Sequence, residues 1–160
     1  MNLLDLIGAE RFDIVPHFIA LAIAYALALP LGWNREKEER SAGIRTFPLV
    51  AVASCGFIQA AEGITIDSPE AMARIIEGVI VGMGFIGGGA ILQLKHSVQG
   101  TATAASLWVT GAIGASVGLG QMDVALMLAI VGFVTLYFLA PIKRSIERDQ
   151  PEPGPSAENE

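Results

Sequence analysis

Five stretches of this 160-residue chain contain no Asp, Glu, Lys or Arg: 14–34, 46–61, 78–94, 96–122 and 124–142. A charge-free apolar run of ~17–25 residues is long enough to cross a bilayer as a helix. The five runs hold 100 residues and leave 60, too few for a separate soluble domain of ordinary size. Composition agrees. Apolar residues make up 52% of the chain and charged residues 16%, where a soluble domain carries about 25%. The sequence therefore predicts an all-α, polytopic membrane protein with about five transmembrane helices, at roughly 14–33, 46–62, 75–93, 102–120 and 123–142.

Three segments follow from this division: a short N-terminal interfacial segment (1–13), the transmembrane domain (14–142), and a cytoplasmic, largely disordered tail (143–160). The start, MNLLDLIGAERFD, is not a signal peptide, because Asp5 and Glu10 stand where a basic region belongs. Pro16 and Pro48 fall in first turns, where a missing N–H costs nothing, while Pro30 should kink or cap the first helix. The 34–45 loop, Lys95 and the tail hold eight Lys and Arg on one side. Arg11 and Arg74 are the two on the other. The positive-inside rule then places the N-terminus outside and the C-terminus in the cytoplasm.

Several function classes drop out. A net charge of −6 argues against nucleic acid as a partner. Cys55 is the one cysteine, so neither a disulfide nor a Cys-based metal site forms within the chain, and it reads as a small packing residue. No catalytic constellation is visible: His17 and His96 fall on opposite membrane faces, so no enzyme activity, metal site or cofactor is expected.

Gly82-Met-Gly84-Phe-Ile-Gly87 reads G-x-G-x-x-G. As a dinucleotide fingerprint it needs a strand-to-helix turn and an acid about 20 residues on; the next acid after Glu77 is Asp123. Two readings fit better. Gly78/Gly82, Gly84/Gly88 and Gly114/Gly118 are GxxxG pairs that permit close helix packing. Alternatively, the five glycines between Gly82 and Gly89 break the third helix at mid-membrane, as helices lining transporter sites do. Glu77, inside a span, is either a functional carboxylate or an interfacial acid paired with Arg74. Gly43, Arg45 and Thr46 open the second helix, whose free N–H groups are suited to an anion. Thr101 and Thr103 open the fourth on the same side, as N-caps or interhelical donors; the two polar segments could meet, which spacing alone does not prove.

Three stretches, GWNREKEERSAGIRTFPLV, RIIEGVIVGMGFIGGGAIL and VQGTATAASLWVTGAIGASVGLG, occur in an order that resembles the MgtC/SapB family of bacterial inner-membrane proteins over roughly residues 15–140. The resemblance marks Gly32, Arg35, Glu36, Ala42, Gly43, Arg45 and Thr46 in the first stretch. It marks Gly82, Gly84, Phe85, Gly87 and Gly89 in the second, and Gly100, Thr103, Ala104, Ala105 and Trp108 in the third. The chain departs from the pattern at Asn34, where the family usually has Glu, at Glu77, where Gln is common, and at Thr101-Ala102-Thr103. Some relatives carry a cytoplasmic ACT-like domain that has no counterpart in this sequence. The resemblance implies a multi-pass inner-membrane protein with a regulatory role in magnesium or stress homeostasis, exerted by binding other membrane proteins. The alternative is an ion or small-solute permease or channel, which with so few helices requires a homo-oligomer.

Overall fold

The computed structural model describes residues 14–38, 42–65, 68–94 and 97–148. The predicted interfacial segment, the end of the tail, Arg40, Lys95 and His96 lie outside them. Five helices and one hairpin follow in order: α1 (Ile14–Lys37), α2 (Thr46–Thr65), α3 (Pro69–Gly89), β1 (Leu92–Leu94), β2 (Ser97–Gln99), α4 (Thr101–Gly118) and α5 (Met122–Arg148). α1, α3 and the Met122–Leu139 part of α5 are long and apolar enough to cross a membrane, and the apolar part of α2, Thr46–Glu62, is shorter.

α4 is the centre of the bundle. It touches each of the other helices, and its buried face is the broadest, from Thr103 and Ala104 through Leu107, Thr110 and Ile113 to Val117, while Ala105, Trp108 and Ala112 lie exposed on the opposite face. The other helices bury one stripe each. In α1 this is Ala24, Ala28, Leu31, Gly32 and Arg35; in α5 it is Ala125, Ala129, Gly132 and Leu136, steps of three and four residues that share a helix face. Glycines set how close the helices come. A side chain on Gly114 would run into the backbone of Ala51, and one on Gly118 would lie 2.8 Å from Ile58 Cβ. These contacts make α2 and α4 parallel. Gly111 meets Met83 while Gly87 meets Trp108 and Ala104, so α3 runs antiparallel to α4.

Two boundaries differ from the sequence expectation for physical reasons. α3 begins at Pro69, not near 75, because the Ser68 hydroxyl accepts the Ala71 N–H (3.4 Å) and proline fits the first turn. It ends at Gly89, after three consecutive glycines, and the chain turns into the hairpin where helix was expected to 93 and a loop beyond it. The hairpin pairs Leu92 with Gln99 and Leu94 with Ser97. Pro30 neither caps nor ends α1, which continues to Lys37. α5 runs on to Arg148, past the span end placed at 142.

Candidate functional site

The polar residues singled out by sequence gather where α1 hands over to α2. Gly32 lets the two helices touch: a Cβ there would sit 3.1 Å from Gly43 O, Ile44 Cα and Phe47 Cβ. The Glu36 carboxylate reaches across the connection and accepts the Ile44 N–H at 3.1 Å. It lies directly against Gly43, where any side chain would displace it. The Gly43 carbonyl in turn accepts the N–H groups of Thr46 (3.0 Å) and Phe47 (3.1 Å). The start of α2 is thus closed by the chain itself. The N–H groups of Ile44, Thr46 and Phe47 are already taken, so an anion at this end would meet side chains and not the free backbone N–H groups that were expected.

Two arginines of this region have opposite surroundings. Arg35 is 4% exposed, and its Nη2 donates to Asn34 Oδ1 at 2.9 Å. Arg45 is exposed, and no described acid pairs with it. Lys37 Nζ lies 5.4 Å from the Trp33 ring centroid, a cation–π contact.

The glycine stretch of α3 is one unbroken helix, so both the strand-to-helix turn of a dinucleotide site and the mid-membrane break are absent. Its glycines also differ from one another. Gly87 packs on Trp108, with Cδ1 3.3 Å from where its Cβ would be. Gly84 lies at the edge of that contact, 3.9 Å from Trp108 Cζ2. Gly78, Gly82, Gly88 and Gly89 face open space, so the first GxxxG pair packs against nothing among the described residues. Phe85 is 86% exposed. Arg74 and Glu77 are both exposed, and no ion pair joins them among the described residues.

At the third motif, the helix cap is Gly100, with φ +88, and no side chain caps α4. Thr103 is buried, and its carbonyl accepts the Ser106 hydroxyl at 2.9 Å. The Thr110 hydroxyl likewise donates to Ser106 O at 2.8 Å. Ser106 and Thr110 escaped the sequence reading, which looked for polar residues at helix ends; two hydroxyls four apart in an apolar run were the available signal. The two polar segments do not meet. Ala51, the sixth residue of α2, sits beside Gly114, the fourteenth of α4, which staggers the two helix starts by about 12 Å at 1.5 Å per residue.

Between α2 and α3 lies a groove of about 800 Å³ with Arg45 and Thr46 at one end. Among the described residues, no group of three or more His, Cys, Asp or Glu is placed to hold a metal ion.

A bundle whose hydroxyls turn inward while Phe18, Leu49, Phe57, Val81 and Phe85 face outward is built for lipid as its solvent: it is a helical membrane protein. The chain belongs to the MgtC family, whose model matches residues 21–145. It is 37% identical to Protein SrpB of Synechococcus elongatus over 146 residues, 80% of each chain. It is also 37% identical to Protein MgtC of Salmonella typhimurium over 122 residues, 76% of this chain. Protein MgtC of Brucella abortus is 32% identical over 127 residues, 79% of this chain. The chain spans 52% of the length of each of these two MgtC proteins. No solved structure matches it.

Proposed function

We propose that this chain is a non-enzymatic, multi-pass protein of the bacterial inner membrane that regulates magnesium or stress homeostasis by binding other membrane proteins. Its kinship to proteins named MgtC supports the physiological part of this reading. The molecular part rests on α3. One face of that helix holds Met83 and Gly87 against the bundle, while Gly84, Phe85 and Gly88 leave another face bare and flat. Small residues beside one protruding aromatic ring suit close contact with a partner helix. The permease alternative has lost one of its two supports, since α3 does not break; the other, Glu77, lies exposed on its surface.

The test is a photoreactive residue at Phe85, compared with one at Leu107 in the core, in cells grown at low magnesium. Phe85 is expected to capture a discrete membrane protein, and deletion to impair growth at low magnesium. Self-crosslinks alone, with normal growth of the deletion strain, would overturn the proposal.

A further inference from the structure

The groove between α2 and α3 has one chemistry along its length and another at its end. Its α2 wall runs from Thr46 to Ala61, 16 residues or about 24 Å at the helical rise, most of the ~30 Å hydrocarbon thickness. Leu49, Phe57 and Ile86 on its rim are exposed, so it opens sideways onto the surface that faces lipid. Apart from the buried Ser54, its polar side chains are Arg45 and Thr46, together at the start of α2. No acid lines it. Glu36, near the end of α1, is engaged with the Ile44 N–H. This end also carries two exposed tryptophans, Trp33 near the end of α1 and Trp108 beside Gly87, as befits the headgroup level.

The α3 wall adds an independent observation. Gly78 and Gly82, one turn apart, both line the groove, and a Cβ on either would meet nothing within 4 Å. Contacts among the described residues therefore do not account for glycine at either position. What glycine provides there is room in the groove. An extended acyl chain, one carbon wide, fits.

We propose that this groove binds one anionic phospholipid, its acyl chain lying over Gly78 and Gly82 and its phosphate held by Arg45 and Thr46. The lipid comes from the leaflet on the Arg45 side. A guanidinium matches a phosphate in charge and in fork geometry, and at the edge of hydrocarbon it has no described acid to neutralise it. This site requires only that the bundle lie in a membrane, and its described lining does not include Gly84, Phe85 or Gly88.

The experiment uses the full chain in vesicles of phosphatidylethanolamine and phosphatidylglycerol, with either lipid carrying a photoreactive acyl chain. Crosslinks are mapped by mass spectrometry, and retained lipid is counted after detergent extraction. Phosphatidylglycerol is expected to label the groove walls and to outcompete phosphatidylethanolamine. Arg45→Gln should weaken retention about tenfold, the worth of one charge-assisted contact, with Arg45→Lys recovering part of it. Gly82→Leu should abolish labelling by filling the groove, whereas Gly88→Leu, equally open but outside it, should not. Helicity and a single elution peak identify variants that fold, and the Arg45 series stands without Gly82→Leu. Equal labelling by both lipids, retention indifferent to Arg45→Gln, labels spread over the whole surface, or a protein captured in the groove instead would each overturn the proposal.

Discussion

Gly100 joins the hairpin to α4 under two constraints at once. Its φ of +88 lies in the left-handed region, which costs a residue with a side chain about 1–2 kcal/mol. Any Cβ would also collide with the carbonyl oxygen of Ala90, at the end of α3. Gly82 has neither constraint: it is helical, and the space around it is open. Gly100→Ala should therefore lower the melting temperature of the detergent-solubilised protein markedly. Gly82→Ala should leave it equal or raise it, since alanine is favoured over glycine in a helix by up to about 1 kcal/mol. Equal losses from both would mean that the two glycines share a role. The sequence stretches did flag Gly100 and Gly82 alike, because both lie in family motifs. Spacing carries no backbone angle, and so could not say which glycine is irreplaceable. Glu36 is a similar case. The resemblance picked it out, but its task of receiving the Ile44 N–H eight residues on belongs to a turn whose shape only the folded chain defines.

At the level of elements, charge-free runs located the helix cores well, because burying an ionised side chain in hydrocarbon is costly and keeps Lys, Arg, Asp and Glu out of spans. They failed at the ends of α3, where a serine cap and a proline start the helix among charged residues and three glycines finish it. The GxxxG spacing was equally blind to environment. Gly114 and Gly118 pack tightly on α2, whereas Gly78 and Gly82, with identical spacing, meet nothing among the described residues. α4 also shows that a buried hydroxyl need not join two helices. Thr110 satisfies its hydroxyl on the Ser106 carbonyl of its own helix. Thr110→Val keeps the shape and removes both the donor and its need for a partner, so a loss below about 1 kcal/mol is expected. Gly114→Ala pushes a methyl group into the Ala51 backbone, and overpacking of that kind costs about 1–3 kcal/mol. Thermal unfolding in detergent should rank Gly114→Ala well below Thr110→Val. The opposite order would mean that the Thr110 hydroxyl bonds across helices and that the α2–α4 contact is slack.

For the whole molecule, the arrangement of helices and the distribution of charge bear on the same question, the orientation in the membrane. α2 and α4 run parallel to each other and antiparallel to α3, and Gly32 and Gly43 bring the end of α1 to the start of α2. The ends of α1 and α3 and the starts of α2 and α4 therefore lie on one side, with Arg35, Lys37 and Arg45 among them. The turn before α5 lies on the other side, followed by Asp123 in the first turn of that helix. By the positive-inside rule, the eight-to-two split of basic residues leads us to propose that the first side is cytoplasmic. Cys55 makes this testable with little disturbance, being the one cysteine and wholly buried, so a Cys55→Ala background is silent. Lys37 and Asp123 are both exposed. In that background, a membrane-impermeant maleimide added to cells with a permeabilised outer membrane should label Asp123→Cys. Lys37→Cys should react only in inverted vesicles or after the inner membrane is opened. Labelling of both from the same side would contradict an odd number of spans between the two positions. The reverse pattern would keep the bundle and turn it over in the membrane, placing the Arg45 end of the groove in the opposite leaflet.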